Sequence, residues 1–94
     1  MQSTDRPVVT LSGEYDLSRR EEMRDDLYVL KDKDAIAVDL AEVKYMDSTS
    51  IGVLVNFNRR FIQKGGPPIK LLNLQPRVVR LLKITGLDQV FDLS

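Results

Sequence analysis

Residues 35–72 constrain the fold more than any other part of the chain. Two short apolar runs, 35–40 and 69–72, flank a single helix-length stretch whose two ends are both marked. The start carries Asp47 followed by three hydroxyls, Ser48, Thr49 and Ser50, residue types that accept hydrogen bonds from the orphan N–H groups of a first helical turn. The end is Gly65-Gly66-Pro67-Pro68, which no helix continues through. Between them Ile51, Leu54, Val55, Phe61 and Ile62 recur at one-face helical spacing, so the segment reads strand, helix, strand.

The rest of the chain extends this alternation. Residues 7–11 read as a short strand and 12–16 as a turn. Ser18 and Glu21 form a capping-box pattern that opens a helix with Met23, Leu27 and Leu30 on one face. Residues 31–34 are a polar connector, and a short loop is expected between Leu40 and the hydroxyl cluster. Gln75-Pro76 opens a third helix with Val78, Val79, Leu81, Leu82 and Ile84 as its apolar face, and Gly86 ends it. Residues 86–91 read as a turn and a final strand. The prediction is a single α/β domain over 1–94, a small mixed β-sheet, at least partly parallel, with helices packed on it.

Ninety-four residues can bury one core. A chain with 43% hydrophobic and 30% charged residues is ordinary for a globular domain. No run approaches the roughly 18 apolar residues of a membrane span, and the first seven residues lack the apolar centre of a signal peptide, so a cytoplasmic protein without membrane insertion is expected. There is no His and no Cys. Imidazole-dependent nucleophilic systems and the usual zinc ligands are therefore missing, and no carboxylate pair or Ser-Lys arrangement stands out by spacing. The expectation is a non-enzyme without cofactor or metal.

Formal charge sums to zero but is unevenly spread. Residues 1–47 hold twelve acids against seven bases, and residues 48–94 two acids against seven bases. Arg59, Arg60 and Lys64 fall on the polar side of one predicted helix, and Arg77, Arg80 and Lys83 recur on the next. Without aromatic platforms or a known module beside them, these cations are read as solvated faces or a protein-partner surface rather than a nucleic-acid site.

Local physics alone explains the hydroxyl cluster as helix caps. Its wording adds something else. Met46-Asp47-Ser48-Thr49-Ser50-Ile51-Gly52 resembles the Met-Asp-Ser-Ser-Gly-Leu-Gly segment of bacterial anti-sigma factor antagonists, which are STAS domains. Gly13-Glu14-Tyr15-Asp16 is similar to the Gly-Glu-Leu-Asp of that family, and Thr85-Gly86-Leu87 followed by Phe91 is similar to its closing Gly-Leu segment. The likeness spans residues 8–92. It implies that Ser48 is a phosphoacceptor, that the partner is an anti-sigma factor acting as an ATP-using serine kinase, and that a protein phosphatase resets the site. Ser50 stands where the family usually has Gly. The extra C-terminal helix many members carry is expected to be missing, and the first strand to be absent or reduced.

Other readings stand beside this one. Ser48 can be a capping or loop serine only, and Thr49 and Ser50 are read as local hydrogen-bonding groups. The domain can serve as a scaffold or accessory subunit of a signalling or transport complex, or bind a nucleotide. In the helix after the cluster, Val53 and Phe57 lie one turn apart on a flank of the stripe Ile51, Leu54, Val55, Asn58, Phe61 and Ile62. They are expected to be partly exposed and, with Arg60, Asp47, Ser48, Thr49 and Ser50, to form a partner-binding surface. The alternative is that they pack beneath a neighbouring helix.

Overall fold

A three-stranded parallel sheet in the order β1-β2-β3 organises the molecule, with β1 Val8–Tyr15, β2 Ala37–Met46 and β3 Lys70–Leu72. The computed structural model describes residues 7–93. A 3₁₀ turn, Leu17–Arg19, leads into α1, Arg20–Tyr28; α2 is Ser48–Gln63 and α3 is Pro76–Thr85, followed by a second 3₁₀ turn at Leu87–Gln89. Every strand pairing among the described residues is parallel, so the antiparallel member that a mixed sheet requires is not among them. The expectation of a reduced first strand falls on residues 1–6, outside the described part.

β2 is longer than its hydrophobic pattern suggests. The apolar run ends at Leu40, yet the strand continues to Met46 with no intervening loop. Five residue steps along β1, from Thr10 to Tyr15, are matched by seven along β2, from Asp39 to Met46, so β2 absorbs two extra residues at two register shifts. Each extra residue interrupts the two-residue alternation. That is why Leu40, Val43 and Met46, three apart, all turn into the core while the residues between them are exposed. β1 keeps a regular alternation, with Leu11 and Tyr15 buried, and runs through the segment expected to be a turn.

The edge of β2 beyond β3 is closed by side chains. β3 pairs only as far as Asp39 and Leu72. Asn73, held at a φ of 56°, then reaches Asp39 Oδ1 with its amide at 3.1 Å, and Gln75 Nε2 donates to the carbonyl of Ala41 at 3.0 Å. Arg77 Nη1 approaches the carbonyl of Lys44 at 3.5 Å. The Ala41 and Lys44 carbonyls thus meet side-chain donors, and Asn73 ties the end of β3 to the Asp39 carboxylate, without a further strand.

α2 is the central helix. Ile51, Leu54 and Phe61 are buried, as the spacing predicts. Asn58, in the same stripe and buried, accepts from the backbone N–H of Ile69 at 2.7 Å and donates to the carbonyl of Val90 at 3.2 Å, tying α2 to the start of β3 and to the C-terminal segment. Lys64, expected on a solvated face, donates to the carbonyls of Lys31 and Lys33. Ile62 is exposed although Phe61, its neighbour in the same turn, is fully buried, so the apolar face narrows to Phe61 at the end of the helix.

α3 begins with Pro76 and ends at Gly86, whose φ of 76° places it in the left-handed region that suits glycine after a helix. Val78 and Leu82 are buried, but Ile84 is 76% exposed and does not belong to the apolar face assigned to it. The expected final strand is also absent among the described residues: its place is taken by the second 3₁₀ turn and one bridge, Lys70 to Asp92. The capping box fails too, because Asp16 rather than Glu21 engages Ser18: its Oδ1 accepts from Ser18 N at 2.9 Å and from Ser18 Oγ at 2.6 Å.

Candidate functional site

The hydroxyl cluster sits where β2 turns into α2, beside the end of β1, Tyr15 being paired with Met46. Asp47 is the N-cap, extended at φ −96° and ψ 178°, and its Oδ1 accepts the N–H of Ser50 at 2.9 Å. The Asp47 N–H donates to the carbonyl of Tyr15 at 3.2 Å. Ser50 is fully buried and its hydroxyl donates to that same carbonyl at 2.8 Å. The corner is thus held twice to β1. The residue that replaces the family's usual Gly contributes a cross-link to β1, a long-range bond in place of the expected local one.

Ser48 is the first residue of α2 and differs from its neighbours. It is exposed, and its hydroxyl makes no hydrogen bond among the described residues. The capping work is done by Asp47, so Ser48 is not the N-cap. No acid lies in the first turn of α2. Added negative charge there meets the positive end of the helix dipole, opposed only by the adjacent Asp47.

The flank of α2 departs from expectation. Val53 and Phe57 are 7% and 5% exposed, because α1 packs across them. Phe57 stands edge-on to Phe61, ring centroids 5.4 Å apart, and with Val53 it faces Leu27 and Tyr28 across the seam between the helices. Sheet contacts and helix contacts together widen the apolar arc of α2 beyond one stripe. Val53 and Phe57 therefore offer no free surface. Arg60 is exposed, its guanidinium 5.2 Å from the centre of the Tyr28 ring.

What remains on the solvent side after Ser48 is Thr49, half-buried, then Gly52 and Asn56 along the same ridge. A Cβ built on Gly52 would meet nothing within 4 Å. The domain itself has no steric need for glycine there, although glycine inside a helix costs about 1 kcal/mol relative to alanine. On the other side of Ser48, a hollow is lined by Tyr45, Met46, Asp47, Ser48, Arg77, Val78 and Leu81. Among the described residues no three His, Cys, Asp or Glu side chains are grouped to hold a metal, and no helix is long and apolar enough to cross a membrane.

Over residues 1–93 the sequence matches the family described as Mlab, STAS domain. The chain belongs to the STAS-domain family. An anti-sigma-B factor antagonist from Bacillus subtilis is 38% identical to this STAS domain over 87 residues, 92% of the present chain and 79% of the relative. Its counterpart from Listeria monocytogenes is 33% identical over 93 residues, covering 97% and 81% of the two chains. The crystal structure of a Thermotoga maritima protein described as a candidate anti-sigma factor antagonist superposes with a TM-score of 0.78 at 27% identity, over 90% of this chain and 76% of that one. The phosphorylated form of the Bacillus protein SpoIIAA shares the fold, with a TM-score of 0.68 at 22% identity over 99% and 88% of the chains.

The sequence alone does not single out two residues of this STAS domain. Gly52 enters it only as part of a motif, though a glycine inside a helical pattern with no turn to make is itself a signal. Arg77 is one of three cations on its helix, and only the fold brings it to the hollow that Ser48 lines.

Proposed function

We propose that this STAS domain is an anti-sigma factor antagonist that binds its anti-sigma factor through the β2–α2 corner and is switched off by phosphorylation of Ser48. One observation carries the reading: of the polar side chains at the corner, Asp47 and Ser50 are committed to holding it together and Thr49 is half-buried, whereas the Ser48 hydroxyl is exposed and makes no hydrogen bond among the described residues. The names of the relatives support the same reading, as does the existence of SpoIIAA in a phosphorylated form.

Unmodified, the corner and the ridge of Ser48, Thr49, Gly52 and Asn56 form the contact surface, with Asp47 supporting it and Arg60 at its far end. Asp47 and Ser50 fix the loop, and Gly52 allows the partner's backbone to come close. An anti-sigma factor engaged here releases its sigma factor. The partner is also the kinase: Ser48 Oγ forms a bond to the terminal phosphorus of ATP, the bond to the bridging oxygen breaks, ADP leaves, and the hydroxyl proton passes to a base on the kinase. A phosphatase restores the hydroxyl by hydrolysis. Both enzymes are other chains of the cytoplasm, and this domain is substrate and binder, with no catalysis, cofactor, nucleic acid or membrane insertion of its own.

The phosphate brings a charge of about −1.5 to −2. At the first residue of a helix that charge is tolerated by the domain. The switch therefore acts at the partner surface, where a bulky dianion beside Asp47 meets a site shaped for a small hydroxyl, and the fold stays intact. The test is incubation with the co-purifying anti-sigma factor and ATP, followed by mass-spectrometric site mapping. Labelling at Ser48 that disappears in Ser48→Ala is expected, and labelling that persists at Thr49 or Ser50 contradicts the assignment.

A further inference from the structure

Among the described residues, Arg77 is the cation that lines the same hollow as Ser48. It projects from the first turn of α3 into the hollow that Ser48 lines, across from Tyr45 and Asp47. Its one hydrogen bond there, from Nη1 to the carbonyl of Lys44, is 3.5 Å long and exposed, at the outer limit of such a bond. The neighbouring edge contacts of Asn73 and Gln75 are shorter, at 3.1 and 3.0 Å, so the Lys44 carbonyl is the most weakly held of the three acceptors. The next cation on the helix, Arg80, faces a different groove with Leu74, Pro76 and Ile84.

We propose that Arg77 is a phosphate clamp: once Ser48 carries a phosphate, the guanidinium leaves the Lys44 carbonyl and pairs with the phosphate oxygens, pinning the modified side chain against α3. The guanidinium fork fits a phosphate with two parallel charge-assisted bonds, whereas the contact it gives up is a single long one to an uncharged carbonyl. The charged and titratable groups around the hollow are Asp47 at the start of α2, Lys44 and Tyr45 on β2, Glu14 paired with Tyr45 from β1, and Arg77 from α3. Among those lining the hollow itself, Arg77 is the only cation and Asp47 the only acid. The clamp has two consequences. The phosphate becomes a fixed obstacle rather than a mobile one, and α2 and α3 become linked across the corner only in the modified protein.

This inference rests on Ser48 being the modified residue, but its test does not need the kinase. Phosphoserine is installed at position 48 during translation in the full chain, and ³¹P NMR follows its second ionisation in wild-type, Arg77→Gln and Arg80→Gln backgrounds. The ordinary value is about 6. Wild type and Arg80→Gln should both titrate at least about half a unit lower than Arg77→Gln, the modest size suiting an exposed pair. The installed phosphate should also raise the melting temperature in wild type and fail to do so in Arg77→Gln. Identical titration of wild type and Arg77→Gln overturns the clamp whether or not a kinase ever labels Ser48. Absence of kinase labelling alongside a shifted titration would instead overturn the switch and leave the clamp geometry standing.

Discussion

Two corners of this domain begin with the same chemistry and end differently. At each, a strand runs into a helix through an aspartate and nearby serine: Asp16 and Ser18 after β1, Asp47 with Ser48 and Ser50 after β2. In the first corner the Ser18 hydroxyl and N–H both go to Asp16, so the only serine present is consumed locally. In the second, Asp47 takes the N–H of Ser50 and the Ser50 hydroxyl goes to Tyr15, while the exposed Ser48 hydroxyl makes no hydrogen bond among the described residues. Exposure does not separate the two, since Ser18 and Ser48 are both exposed. The difference lies in commitment: the fold engages Ser18 and, among the described residues, leaves Ser48 unengaged.

The helices that leave the two corners meet along the seam of Leu27, Tyr28, Val53 and Phe57, so the steepest test of the comparison is made there. Phe57→Ala should cost about 3–5 kcal/mol in chemical denaturation, the range for truncating a buried aromatic. Affinity for the anti-sigma factor, corrected for the folded fraction, should be unchanged. A stable variant with weakened binding would return Phe57 to the contact surface.

Ser50→Ala removes a buried hydrogen bond and should cost about 1–2 kcal/mol. Ser18→Ala, at an exposed bond, should cost clearly less. Equal losses would mean that the two corners do not differ in how they use their serines.

Much of the fold was legible in the residues because the signals were local. Residues 65–68 and Gly86 stop their helices, and Pro76 starts one. The second half of β2 was not legible. Two register shifts convert alternation into a spacing of three, and a sequence with Leu40, Val43 and Met46 inward carries no strand period. Periodicity alone leaves Val53 and Phe57 on a flank because it reports one face of a helix, whereas α2 is covered by both the sheet and α1. The capping box after Ser18 was plausible chemistry, but Asp16, two residues earlier, competes for the same hydroxyl at shorter range. Around Ser48 the residue types were legible and their division of labour was not, since the Ser50 bond crosses 35 positions of sequence.

Gly52 sharpens the comparison in the opposite sense. Alanine there meets nothing within 4 Å, so Gly52→Ala should stabilise the domain by up to about 1 kcal/mol while weakening anti-sigma binding. Stabilisation with full binding would remove Gly52 from the contact ridge.

The smallest effect concerns acid. Hydrogen bonds from Ser18 hold the Asp16 carboxyl below its usual value. A carboxyl depressed in the folded state contributes stability that is present above its unfolded pKa and is lost as pH falls through the folded one. The stability difference between wild type and Ser18→Ala should therefore be full near neutrality and shrink as the pH drops below the ordinary carboxylate range. A difference that stays constant through acid would show that the bond does not depend on the charge of Asp16.

The central claim is that Ser48 is dispensable to the fold and decisive at the partner surface. Ser48→Asp, compared with wild type for melting temperature and for anti-sigma affinity by titration calorimetry, measures both halves at once. The melting temperature should hold while affinity falls at least tenfold, about 1.4 kcal/mol. Unchanged affinity, or a large drop in melting temperature, would contradict it.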